Sequence, residues 1–159
     1  MQPEPIRAVD IRPCLHYSTI QIVMIGLDST PPNDGTMAFR DPALELTSHD
    51  ASGYPLVRLE YHATPPRIPP GPWDYERLVQ GLTVATSPLK LMSLTGPVEG
   101  EIDVPDGLYG LRVLRRANPM YEEPSDEEDE FIGDYDGDAP LGEPEECWLV
   151  QLWPLHRAE

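Results

Sequence analysis

Apolar and polar residues alternate along much of this chain. In Leu56-Val57-Arg58-Leu59-Glu60-Tyr61, Val57, Leu59 and Tyr61 share one face while Arg58 and Glu60 share the other, which is the two-residue period of a half-buried strand. Tyr109, Leu111 and Val113 alternate in the same way with Arg112, and Arg115 and Arg116 finish that strand. Ser18 to Leu27 and Cys147 to Trp153 are apolar on both faces, which predicts central positions in their sheets. Further strands are predicted at Ile6 to Arg12, Thr36 to Arg40, Arg77 to Thr86, Leu89 to Leu94 and Val98 to Val104.

Trp73 to Gln80 admits two readings. Pro72 suits the first position of a helix, with Asp74 and Glu76 in its first turn. Against this, Leu78, Leu82 and Val84 alternate with polar or small positions, and Gly81 would weaken a helix by about 1 kcal/mol, so a strand is expected. Turn chemistry falls at Asn33-Asp34-Gly35, Ser52-Gly53 and Pro105-Asp106-Gly107, and the last of these makes 102 to 116 an expected hairpin. Twenty Pro and 12 Gly disfavour long helices. Roughly eight or nine short strands at a spacing of about 8 to 12 residues predict an all-β fold, a single-domain antiparallel β-sandwich or partly open barrel spanning 1–159.

Charge changes this picture at one place. Of the chain's 28 acidic residues, 13 lie in the 25 residues from Glu122 to Glu146, a window without Lys or Arg. The remainder carries 15 acidic and 11 basic residues, a net of −4 against −17 for the whole chain. The window sits between two predicted strands and reads as a flexible acidic loop inserted before the last strand.

Three readings of the insertion are open. Dense like charge with Pro124, Gly133, Gly137, Pro140, Gly142 and Pro144 suits a solvated loop that only confers solubility. A run of Asp126, Glu127, Glu128, Asp129 and Glu130 next to Phe131 and Ile132, followed by Asp134, Asp136 and Asp138, suits a surface that docks on a cationic protein, because apolar anchors beside charge make hot spots. Asp134, Asp136 and Asp138 with Glu145 also match loop positions 1, 3, 5 and 12 of a helix-loop-helix calcium site. That match fails at position 6, where Ala139 stands for Gly, and Pro140 and Pro144 oppose the outgoing helix.

Other chemistry is thinly represented. His16, His49, His62 and His156 are scattered singly, without metal-ligand spacing. No GxSxG, GxxxxGK or GxGxxG motif is present, so neither an enzyme nor a cofactor is expected. A sequence pI of 4.4 argues against nucleic acid as a ligand. Arg112, Arg115 and Arg116 are expected to pair with the acidic loop or to stand at the sheet surface. The N-terminal residues lack the pattern of a secretory signal and no stretch is long enough to cross a bilayer, which makes the cytoplasm the expected site and a membrane partner unexpected. Cys14 and Cys147 fit two reduced thiols or one bridge between the terminal strands.

The segment Ile102-Asp103-Val104-Pro105-Asp106-Gly107-Leu108-Tyr109-Gly110-Leu111-Arg112-Val113 and the closing Trp148-Leu149-Val150-Gln151-Leu152-Trp153-Pro154 resemble a group of small bacterial proteins similar to competence protein J, an intracellular inhibitor of a DNA-entry nuclease. The apolar Ile20 to Ile25 after His16-Tyr17 is similar as well, and the resemblance covers about a third of the chain. It implies a β-sandwich in which Pro105, Gly107 and Tyr109 shape a turn and Trp148 and Trp153 fill a core, and it carries no functional residue across. With the acidic insertion, it points to an immunity or inhibitor protein that occludes a basic partner such as a nuclease or toxin. The alternatives are a scaffold made soluble by its loop and a weak Ca²⁺-binding or small-ligand-binding sandwich.

Overall fold

The alternating stretches form strands, and the computed structural model describes them in residues 4–12, 19–23, 25–27, 36–40, 43–47, 55–71, 73–84, 88–93, 98–117 and 146–155. Eleven strands and no helix occur among these residues: β1 (Arg7–Ile11), β2 (Thr19–Val23), β3 (Ile25–Leu27), β4 (Met37–Arg40), β5 (Ala43–Thr47), β6 (Leu56–Tyr61), β7 (Tyr75–Val84), β8 (Leu89–Ser93), β9 (Val98–Ile102), β10 (Gly107–Ala117) and β11 (Glu146–Pro154). They make a six-stranded sheet, β1-β6-β11-β10-β7-β3, and a five-stranded sheet, β4-β5-β2-β8-β9. The inner faces meet in one core. Ile20, Ile22, Leu44, Leu46, Leu89 and Leu91 come from the smaller sheet, and Val57, Leu59, Leu82, Leu111, Val113, Trp148, Val150 and Leu152 from the larger. This is a β-sandwich rather than a barrel, because β1 and β9 meet at a corner through Ile11 packed on Gly100, without pairing.

Several expectations are corrected. The described residues form eleven strands, and the patterning leaves out β5 although Leu44 and Leu46 alternate around Glu45 in the same period. The run from Ser18 to Leu27 divides between the sheets: β2 is central in the smaller one, whereas β3 lies at the edge of the larger. Trp73 to Gln80 contributes to a strand, as expected, and β7 begins at Tyr75. At Gly81 the β7–β10 register shifts by one residue, and its φ of +92° is one that a side-chain-bearing residue rarely adopts.

The hairpin expected over 102 to 116 does not form. β9 pairs with β8 in the smaller sheet, and β10 pairs on both edges in the larger, with β7 and β11. Ile102 and Val104 are buried in the core, so the chain crosses between sheets there. The Tyr109 hydroxyl donates back to the Pro105 carbonyl and holds the corner. Turn chemistry announces a reversal without naming the partner strand, and here both edges of β10 are taken. The sheets are also not wholly antiparallel, because β11 runs parallel to β6. The Asn33-Asp34-Gly35 and Ser52-Gly53 turns lie outside the described residues.

Candidate functional site

β11 is apolar on both faces and is buried on both. Trp148, Val150 and Leu152 point into the core, while Leu149, Gln151 and Trp153 point outward and are nonetheless covered. The cover is the proline-rich connection from β6 to β7, residues 62–71 with Trp73 and Asp74, which crosses the outer face of the larger sheet. Arg112 donates to the Pro66 carbonyl at 2.7 Å, and its guanidinium stands 5.4 Å from the centroid of the Trp153 ring. Trp153 thus packs outside the inter-sheet core, over Gly110, where a Cβ would come within 2.6 Å of the indole.

Beneath this strap runs a polar row that crosses four strands. Registers align Asp10 with Arg58, Glu60 with Gln151, and Gln151 with Arg112, all on the outer face. Glu60 is its centre. One carboxylate oxygen takes the Arg58 Nε at 2.7 Å, and the other takes Gln151 Nε2 at 3.1 Å and faces His62 Nε2 at 2.8 Å. Burial pushes the Glu60 carboxyl up, but the hydrogen bonds from Arg58, His62 and Gln151 outweigh it and hold the group below its ordinary range. An ionised Glu60 requires a proton on His62 Nε2. Glu60 thus accepts three hydrogen bonds and His62 is buried, so the trio braces the outer face of the sheet from within.

A second buried charge cluster stands where the acidic insertion leaves and re-enters. Ala117 pairs with Glu146 at the ends of β10 and β11. Glu146, the last residue of the acidic window, is no loop residue: it opens β11, and its side chain is 2% exposed. Arg115 donates to it through Nε at 2.9 Å and Nη2 at 2.7 Å, and Trp148 Nε1 donates to its other oxygen at 2.9 Å. The third arm of Arg115 reaches Asp74 at 2.9 Å. Removing one partner of such a buried pair costs about 3 to 5 kcal/mol, because it leaves the other charge buried and uncompensated at the strand ends that carry the insertion.

Of the three arginines expected to pair with the acidic window or to stand at the sheet surface, Arg115 does pair with the window's last residue, Glu146. Arg115 is buried in the cluster, Arg112 ties down the strap, and Arg116 stacks 5.1 Å from the Trp73 ring centroid. Cys147 carries a free thiol beside Arg116; burial raises its pKa, although the arginine pulls the other way. The residues proposed for partner contact, Asp126, Glu127, Glu128, Asp129, Glu130, Phe131, Asp134, Asp136 and Asp138, lie outside the described residues, as do Glu145 and Cys14. Among the described residues, no group of three His, Cys, Asp or Glu is placed to hold a metal, and no helix is long and apolar enough to cross a membrane.

The polar row was not read from sequence. The two-residue period places Arg58 and Glu60 on one face correctly, but their polarity predicts a wet face, whereas the strap covers it. The signal was the density of proline from Pro65 to Pro72, which marks an extended strap too stiff to fold on itself.

No family model and no curated protein matches the chain. Two solved structures do. One is ComJ from Bacillus subtilis, inhibitor of the DNA-degrading activity of NucA, at 13% identity and a TM-score of 0.59 over 98% of this chain and 99% of that one. The other is the crocagin biosynthetic gene J product, at 19% identity and a TM-score of 0.51 over 95% of this chain and 100% of that one. At these identities the likeness is one of fold: along nearly its whole length, this chain is a β-sandwich similar to ComJ.

Proposed function

We propose that the protein acts by binding and not by catalysis, as an inhibitor or immunity protein that occludes a basic partner in the cytoplasm. The observation that carries this reading is the concentration of 12 acidic residues, free of Lys and Arg, between β10 and β11. Both strands lie inside their sheet, and Arg115, Glu146 and Trp148 lock their ends. An acidic segment carried by two paired strands suits competition for a phosphate-binding groove. A nucleic-acid enzyme must carry positive charge there, and steering by opposite charge speeds encounter. A shared fold with an inhibitor of a DNA-degrading activity is consistent with a nuclease as the partner class.

Asp126, Glu127, Glu128, Asp129, Glu130, Asp134, Asp136 and Asp138 supply the steering charge in this reading, and Phe131 supplies the apolar anchor. Neutralising 126–130 to Asn and Gln should slow association with a cationic nuclease several-fold, and added salt should weaken the wild-type complex in the same direction. Phe131→Ala should act mainly on dissociation. Surface plasmon resonance with the purified pair reads both rates. A partner whose affinity ignores both salt and the neutralised segment would overturn the reading and assign binding to the sandwich faces.

A further inference from the structure

The strap leaves a gap at one end of the outer face. There Arg116, Cys147 and Leu56 stand in a row across β10, β11 and β6, and the strap passes over them with Pro69, Pro70 and Trp73. Between them lies a cleft of about 280 Å³, at the small end of the range for ligand sites. Most of its lining is apolar, with Leu56 and Leu149 below and prolines and an indole above. Three charged side chains also reach it: Arg58, Glu60 and Arg116.

These charges are not equivalent. Glu60 already accepts from Arg58, Gln151 and His62, and Arg58 is shared between Glu60 and Asp10. Arg116 differs. Its Nε is buried without a hydrogen-bond acceptor, and no carboxylate among the described residues pairs with its guanidinium. Its polar neighbour is the Cys147 thiol, which burial keeps protonated and therefore unable to neutralise it. Its guanidinium carbon lies over the Trp73 ring, 5.1 Å from the centroid, and a Cβ at Gly71 would come within 3.2 Å of Nη1. A buried donor left unmade costs about 1 to 3 kcal/mol. The arginine fork meets a carboxylate through two parallel hydrogen bonds. A dianion would meet the fixed charge of Glu60 in the same small space.

We infer that this cleft is a binding site for a small monocarboxylate with an apolar body, its carboxylate on Arg116 and its body between the prolines of the strap and Leu56 and Leu149. The inference does not rest on the inhibitor reading, although Arg116 and Cys147 adjoin the strand ends, Ala117 and Glu146, that carry the insertion. Phenylacetate is the probe, with phenylacetamide and inorganic phosphate as controls. Isothermal titration of the full chain should show saturable binding of phenylacetate, at least tenfold weaker binding of phosphate and none of the amide. Arg116→Met keeps the stem on Trp73 and should weaken phenylacetate at least tenfold, whereas Arg116→Lys should recover only part of that loss. In case the variants unfold, the wild type gives a second reading: the Trp73 indole N–H resonance should shift with phenylacetate along the same isotherm, and those of Trp148 and Trp153 should move less. Absence of saturable binding, equal binding of acid and amide, an unaffected Arg116→Met, or an unmoved Trp73 resonance would each overturn the site.

Discussion

Glu60 brings a negative charge under a proline-rich strap, where burial alone would favour its protonated form. Arg58, His62 and Gln151 reverse that preference, so its pKa is lower in the folded chain than in the unfolded one. A depressed carboxyl binds fewer protons when folded, which fixes the sign of the pH dependence. Its contribution to stability is complete above the unfolded value, about 4.3, and is lost as the pH falls through the folded value below that. Glu60→Gln should therefore be less stable than the wild type at neutral pH, and the gap should narrow progressively below about pH 4.3. Urea midpoints of both proteins from about pH 3 to pH 7 read this directly. Parallel curves would mean that Glu60 is not the ionised centre of the row. His62, which periodicity alone leaves unremarkable, owes its place here to a backbone bond from its N–H to the Leu152 carbonyl at 2.7 Å.

At the scale of elements, β10 and β11 make the frame on which everything else hangs. Their pairing runs from Tyr109–Pro154 to Ala117–Glu146, and the outward residues of both are covered by the strap. Glycine at 110 is required by the approach of Trp153 and not by backbone conformation. Gly110→Val should force the indole out and destabilise the fold by about 1 to 3 kcal/mol. Trp153→Ala should cost about 3 to 5 kcal/mol by leaving a cavity under the strap. The two losses should not add: in a Trp153→Ala background, Gly110→Val should cost much less than it does alone. A double-mutant cycle in urea checks the coupling, and additive losses would separate the two residues.

For the whole molecule, the acidic insertion and the sandwich are predicted to be energetically separable. Replacing Glu122 to Glu143 with a short Gly/Ser linker keeps Ala117, Glu146 and the cluster of Arg115, Asp74 and Trp148. Loop closure changes by only about 0.6 kcal/mol per doubling of length, so the shortened chain should still unfold in one cooperative transition. Circular dichroism and a urea melt read the outcome, and an aggregated product would show that the segment contributes to the core. The shortened chain should also lose salt-dependent association with a cationic partner, which ties the stability test to the proposed function.

The pattern of residues by itself determined the all-β class, most strand positions, the interior place of β11 and the localisation of charge. Each of these is a local property: a two-residue period, a run apolar on both faces, a count of carboxylates. The tertiary structure alone decided which strands pair, because a turn such as Pro105-Asp106-Gly107 reverses the chain without selecting a neighbour, and β10 finds its partners 23 or more residues away in β11 and β7. It alone decided that Glu60, His62 and Arg115 are interior. Their polarity predicts water, and only the folded sheet brings Gln151 to Glu60, the Leu152 carbonyl to His62 and Glu146 to Arg115, partners distant in sequence whose hydrogen bonds make burying them affordable. The cleft beside Arg116 is likewise invisible in the chain, since its two walls are a proline run and three strands that meet only in the folded protein.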